Sequence, residues 1–466
     1  MTSRFALVIA LCALLACVLV IGAWCARRTR TVDDFHLAGR TLGAWRAGLS
    51  QAAGAYGLWI LIGVSGAAYT LGLAAAWIGI GVLAGVALAW FYVGPAIHSQ
   101  ARAVGATTAF ELLGQPGRGD ALRSTAQSAA GIASVAVFFG ICAQFSIAGG
   151  AVARVLAIHQ ATAVLIVAGT TLAGALLAGS RAISAIGALS ALLIVTVALL
   201  LPLPAFFFLG GAAGLESALA TTGEFALDPL AGHTGAQAVL LVMGSFGIGL
   251  GLCGQPQLID AFIATRSVRA VRAAGIIALG WFTLVLLGML LLGWSARALY
   301  ESIDSADLVL FELVQRILPP SLVALPVLAV VAAVITCLGA QLVVMCDAVV
   351  LVTARADIGA PTIARLRTTV LLAGGAAAVI AALTSLDSAR VALLCWLATA
   401  AVLGPLFLVR ASGVNVRPGF AAAAMRIGIV LTLLLFLLRR ERTEWLAAVL
   451  PFTAAVAVAV LGRERK

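Results

Sequence analysis

This chain is short of charge. Charged residues fill 10% of its 466 positions and hydrophobic residues 63%, against about 25% charged in soluble domains. With a mean hydropathy of +1.14, a soluble globular protein is excluded. What remains is a polytopic membrane protein, with the lipid bilayer as its first partner. The net charge of +11 comes from 29 basic and 18 acidic residues. Binding to nucleic acid would need those basic groups gathered on one soluble face, whereas here they sit in short connections between apolar runs. The eight cysteines lie mostly inside apolar runs without metal-type spacing or a disulfide framework, so they read as small buried hydrophobes. A phosphate-cradling GxxxxGK[ST] loop is missing, which argues against an ATP-driven pump. No Ser/His/Asp or paired-carboxylate arrangement is placed for catalysis, so the chain reads as no enzyme. No fused soluble module is visible, and nothing points to an obligate protein partner.

What is present is a succession of about thirteen membrane-length apolar segments, read with a window of about 19 residues. The run 5–23 resembles a signal peptide in hydropathy, but it is long enough to span and its arginines follow it, so it reads as a retained helix. With that N-terminus outside, most arginines fall in cytoplasmic connections (Arg27, Arg28, Arg40, Arg102, Arg118, Arg181, Arg266, Arg269, Arg272, Arg365, Arg410), and the acidic stretches 216–228 and 301–312 fall outside. This matches the positive-inside rule and puts the C-terminus in the cytoplasm. The exception is Arg439, Arg440 and Arg442, which this count leaves outside. The expected location is the cytoplasmic (inner) membrane.

Two segments stand out. Residues 49–66 (LSQAAGAYGLWILIGVSG) carry Gly54, Gly57 and Gly63, and residues 244–256 (GSFGIGLGLCGQP) carry five glycines before a proline. Glycine weakens a helix, and non-helical backbone at membrane depth survives only inside protein or beside a cavity. They are the second and seventh spans, five helices apart, so two five-helix units of opposite topology follow, as in many secondary transporters. The expected fold is all-α, with about thirteen transmembrane helices and a five-plus-five inverted-repeat core containing broken helices. Its expected parts are an extra helix and loop (1–43), a first repeat (44–209), an outer loop (210–236), a second repeat (237–410) and two peripheral helices (411–466).

At 33–50 the chain reads DDFHLAGRTLGAWRAGLS, followed by SGAAYTLGLAAAWIGIG at 65–81, GLGLCGQPQLIDAFIA at 249–264, AAVITCLGAQLVV at 332–344, and Trp396 with Gly404-Pro405. In this order these segments resemble the sodium/solute symporter family, and the proline-symporter branch of it in particular. The resemblance implies thirteen spans, an outside N-terminus and alternating access, with a solute and a sodium ion bound between broken helices. Unwound carbonyls and half-helix ends there supply the oxygens and dipoles that a hard cation needs.

Carried over residue by residue, the family's sodium ligands fall on the backbone carbonyls of Ala53, Tyr56 and Ala333 and on the side chains of Thr336 and Cys337. Cysteine offers soft sulfur where the family has a hydroxyl. The substrate positions fall on Gly54, Ala55, Gly57, Leu58 and Trp59 in span 2 and on Ile248, Leu252, Cys253 and Gln255 in span 7. Carboxylates typical of the proline branch are replaced by Ala55 and Gly187, and its span-7 aromatics by Ile248, Leu252 and Cys253. A more aliphatic cavity and a weakened sodium site follow.

Charged residues inside spans are functional candidates because they are expensive there. Asp347 lies further along span 9 than Thr336 and reads either as a proton carrier or as a gate carboxylate paired with an arginine such as Arg355. Asp260 and Arg40 read as gate or coupling groups, and Gln255 as a cap for freed backbone groups. His98 and His233 are expected in loops. The expected function is a secondary active symporter of a small organic solute, driven by sodium or by protons, with no cofactor beyond a coupling Na⁺. The missing polar ligands leave a second reading open, a transporter-like solute sensor or scaffold that does not transport.

Overall fold

Gly72 divides what hydropathy alone would join. In the computed structural model, the helical stretch from Ile60 to Val104 is long enough to cross a membrane twice, and Gly72, at φ +59 and ψ −136, turns the chain in the middle of it. Only glycine takes that conformation at no steric cost. The structure describes residues 2–114, 120–300, 302–303, 305–317, 319, 322–353, 362–384, 387–438 and 441–464. Arg118, Arg355, Arg439, Arg440, Arg465 and Lys466 lie outside them.

In chain order the helices are α1 (Thr2–Ala26), α2 (Val32–Leu37), α3 (Ala44–Trp59), α4 (Ser65–Leu71), α5 (Ala76–Leu88), α6 (Gly94–Val104), α7 (Ala109–Gly114), α8 (Asp120–Leu156), α9 (Gln160–Leu200), α10 (Pro202–Phe208) and α11 (Gly211–Thr221). The second half holds α12 (Gly235–Leu250), α13 (Pro256–Ala264), α14 (Val268–Leu299), α15 (Val309–Ile317), α16 (Ala324–Thr353), α17 (Ile363–Leu383), α18 (Ser388–Ala411), α19 (Pro418–Leu437) and α20 (Glu441–Leu461). The described residues contain no strand, only isolated bridges such as Leu42 to Thr265.

Among the described residues, eleven helices are long and apolar enough to cross a membrane, and residues 445–461 add a shorter apolar one. Splitting the Ile60–Val104 stretch at Gly72, with α3 belonging to its first half, gives the thirteen expected spans. The 210–236 connection is not a bare loop, because α11 lies within it, and α15 likewise occupies part of the next long connection.

Packing contacts establish the relative directions of the spans. Along α14, Ala274 lies against Gly48 and Gly293 against Ser65, so α3–α4 run parallel to it; Leu290 lies against Gly79 and Val271 against Gly94, so α5–α6 run antiparallel. Helix α12 crosses α5 in parallel, with Ser245 against Gly81 and Gly249 against Gly85. The two glycine-rich spans are therefore traversed in opposite directions, as inverted repeats require.

Between α12 and α13 the chain tightens into a 3₁₀ turn at Gly251–Gly254, then goes extended at Gln255 (φ −81, ψ 111) before Pro256 restarts a helix. Proline needs no N–H at that first position. The span-2 interruption differs from expectation. Helix α3 continues through Gly54 and Gly57, and the irregularity is a π turn at Ile60–Val64, a device frequent at functional sites. α16 is the central helix, with 89% of its most apolar window enclosed, against 17% for α1.

The α5–α12 crossing rests on absent side chains: a Cβ at Gly81 or Gly85 would run into the backbone of Ser245 or Gly249, whereas Gly131 faces open space. Gly85→Val is expected to cost about 1–3 kcal/mol by overpacking, and Gly131→Ala to be neutral or stabilising. Thermal denaturation of the detergent-purified variants measures both.

Candidate functional site

A cavity of about 480 Å³ opens where α3, the π turn, α8, α12, α16 and α18 meet. Its wall includes Ala55, Leu58, Trp59, Ile248, Gln255 and Cys337, six of the residues named from the sequence. Leu252 and Cys253 are buried in packing and do not line it. Gly54 packs instead against Thr336, 3.4 Å from its Cγ2 to a Cβ built on the glycine. The backbone of Tyr56 and Gly57 is helical; their side chains lie outside the described residues.

Polar groups in this apolar wall are few and held by one another. Gln144 of α8 donates to Gln341 of α16 across 2.9 Å. Gln255 Nε2 donates to the carbonyls of Gly251 (3.2 Å) and Trp396 (3.3 Å), so it caps the broken span and lines the cavity at once. Trp396 Nε1 donates to the Ile248 carbonyl, tying α18 to α12. The wall also includes Asp387 and Arg390 at the start of α18. Asp387 caps that helix, and the Arg390 guanidinium lies 4.6 Å from the centre of the Phe436 ring.

The other end of the bundle is closed. Leu42 donates to the Ala264 carbonyl and accepts from Arg266 N–H, and Asp34 pairs with Arg181 at 2.8 Å. Arg40 Nη2 donates to Ala106 O at 3.0 Å. Asp260 Oδ1 accepts from Ala109 N–H at 2.6 Å. Asp347 is paired with His36 of α2, where an arginine was expected; Arg355 lies outside the described residues. His98 is buried in α6 with Nδ1 2.9 Å from Phe262 O, not in a loop, while His233 does lie in a connection.

Residues 35–411 match the sodium:solute symporter family. The chain belongs to that family. The high-affinity proline transporter PutP of Bacillus subtilis is 27% identical over 337 residues, covering 71% of this chain and 70% of that one. The sodium/proline symporter of Escherichia coli is 25% identical over 356 residues, covering 74% and 69%. A solved Na⁺-coupled sialic acid symporter, substrate-bound and outward-open, superposes with a TM-score of 0.80 at 15% identity over 99% of both chains, a likeness of fold.

Within this symporter fold, the family-derived sodium ligands are thinly supplied. Thr336 Oγ1 is hydrogen-bonded to Ser190 Oγ (3.0 Å) and Ala332 O (2.9 Å). Ala53 and Ala333 are buried inside helices, and Cys337 faces the large cavity. The place of the branch's second carboxylate, Gly187, is filled by neighbours: a Cβ there would lie 2.6 Å from Thr336 Cγ2 and 3.0 Å from Ser50 Cβ. Sequence reasoning passed over Gln144, Gln341 and His36. A glutamine inside an apolar span was the available signal for the first two; His36 carried none, because its partner is 311 residues away by numbering.

The pairing of His36 has a pH signature. Burial alone would pull an imidazole below its ordinary 6.5, but the charge and hydrogen bond of Asp347, with smaller contributions from Glu111 and Asp33, hold it above that value. A raised native value contributes stability that is complete below about 6.5 and lost as pH climbs through it. The melting temperature is expected to fall as pH rises above about 6.5, with the fall reduced in His36→Gln. Gly187→Asp, which restores the branch's carboxylate on paper, is expected to lower the melting temperature without strengthening the response to sodium.

Proposed function

We propose that the protein is a secondary active symporter that moves a small organic solute across the cytoplasmic membrane by alternating access. The observation that carries this reading is a cavity shared by both interrupted spans, reaching toward the Asp387–Arg390 end while the Arg40–Asp260 end is sealed. Opening the sealed end and closing the other would move a bound solute through. The relatives are named as transporters, which agrees with transport and with the lack of a catalytic constellation in the sequence. Repeats at 44–209 and 237–410, an outside N-terminus and a cytoplasmic C-terminus belong to the same reading, supported by the opposed directions of the two interrupted spans.

A wall of Ala55, Leu58, Ile248 and Trp59 with amides at Gln144, Gln255 and Gln341 suits a solute with an apolar body and a few hydrogen-bonding groups. Cavities of a few hundred Å³ suit small ligands. The relatives' named solutes are proline and sialic acid, but the missing carboxylate at Ala55 and missing aromatics in span 7 argue against inherited proline specificity. The driving ion is a cation, sodium being the one in the family's name.

Reconstituted into liposomes under an imposed sodium gradient, the protein is expected to accumulate at least one solute from an amino-acid and organic-acid library above its external concentration, and to lose this when the gradient is dissipated. Binding without accumulation would favour the sensor reading instead. Gln255→Leu, which leaves the Gly251 and Trp396 carbonyls without that donor, is expected to cost about 1–3 kcal/mol of stability and to depress uptake.

A further inference from the structure

A second, smaller cavity of about 40 Å³ lies at the sealed end, bordered by Ser50 and Gln51 of α3, Gln257 and Asp260 of α13, Thr336 of α16 and His36 of α2. Such a volume holds an ion or very few waters. It is distinct from the large cavity, and only Thr336 is shared with the family-derived sodium ligands.

Two independent features of its wall lack a partner that a cation would supply. The first is Asp260, a half-buried carboxylate on the second half of the broken span. Its one hydrogen bond among the described residues comes from Ala109 N–H, no cationic side chain among them pairs with it, and the ionisable groups acting on it are Asp347 and Glu111. Glu111 is itself held by Thr107 through its backbone N–H and its hydroxyl, and Asp347 by His36. A partly buried anion facing other anions is disfavoured unless a counter-charge joins it. The second feature is a set of orphaned oxygens. Ser50 Oγ, Gln51 Oε1 and Gln257 Oε1 are each buried with no hydrogen-bond partner, with Ser50 2% and Gln257 4% exposed. Native proteins rarely leave such atoms unpaired.

A cation answers both needs together. The donors are all oxygen, which selects a hard ion, and a single carboxylate borders the cavity, which matches a monovalent charge better than a divalent one. We propose that this cavity binds a sodium ion, with the Asp260 carboxylate as its charged ligand and Ser50, Gln51 and Gln257 supplying neutral oxygens. Because Ser50 and Gln51 lie on the first interrupted span and Gln257 and Asp260 on the second, the ion would clasp the two spans at the sealed end. Sodium binding would then stabilise the closed arrangement, which is what coupling requires of an ion in a symporter. The inference rests on the reading above only for its coupling role; ion binding is a separate readout from solute uptake.

The test is the melting temperature of the purified full-length protein titrated with sodium chloride, with potassium and choline chloride as parallel arms, since a ligand bound only by the folded state stabilises by mass action. Sodium is expected to raise it and choline to leave it unchanged. Asp260→Asn keeps the acceptor for Ala109 N–H but removes the charge, and is expected to weaken the apparent sodium affinity by roughly tenfold or more. Ser50→Ala and Gln257→Leu are expected to weaken it several-fold, and they decide the matter if Asp260→Asn does not fold. No sodium-specific shift in the wild type, or one unchanged in the variants that fold, would overturn the proposal. Uptake that persists alongside such a result would leave the transport reading standing; a shift dependent on Asp260 in a protein that accumulates no solute would do the reverse.

Discussion

Hydrocarbon offers no partner to a backbone N–H or C=O, so every place where this chain leaves the regular helix has to be satisfied from within the protein. The interruptions show it. Ser65 Oγ donates to the carbonyls of Leu61 and Ile62 beside the π turn. Trp294 Nε1 donates to the Gly72 carbonyl, and Arg297 to those of Tyr69 and Thr70, where α4 ends. Gln255 does the same for Gly251 at the break between α12 and α13. Each donor comes from a neighbouring element or from the next turn, so the breaks are tolerable only with the surrounding helices in place. Irregular backbone, cavity and enclosing bundle form one dependency.

Glycine makes the enclosure possible. Where α5 meets α12 and where α14 meets α4, backbones touch because a side chain is missing on one partner. Without a hydrophobic driving force between helices in lipid, close approach of this kind is a main source of association. The same economy has a functional cost. At Gly187, packing against Ser50 and Thr336 has taken the space that a carboxylate would need, so in the proposed site the oxygens and charge for an ion come instead from the half-buried Asp260 and its orphaned neighbours.

Span positions and the opposed glycine-rich pair were legible in the sequence because both are consequences of local composition: apolar length and helix-weakening residues need no knowledge of partners. The exact site of the first interruption was not. Gly54 and Gly57 reduce helical propensity, yet α3 stays regular through them because it is packed against α16 and α9, and the irregularity falls at Ile60–Val64. Long-range pairing was equally hidden. Nothing near Asp347 in sequence points to His36, and Gln144 meets Gln341 only through the packing of α8 on α16. Leu252 and Cys253 share a turn with residues lining the cavity but face away from it, a distinction set by the 3₁₀ geometry of that turn.

Distances across the two ends of the bundle report on whether the protein alternates its access. Spin labels paired at Ala389 and Ala447 would report on the open end, and labels at Leu42 and Ala264 on the sealed end, each pair read by electron–electron resonance in lipid with and without the solute found by uptake. Reciprocal change is expected: the first distance shortens in the population in which the second lengthens. Two distances that stay fixed under every combination of solute and ion, or that widen together, would rule out alternating access.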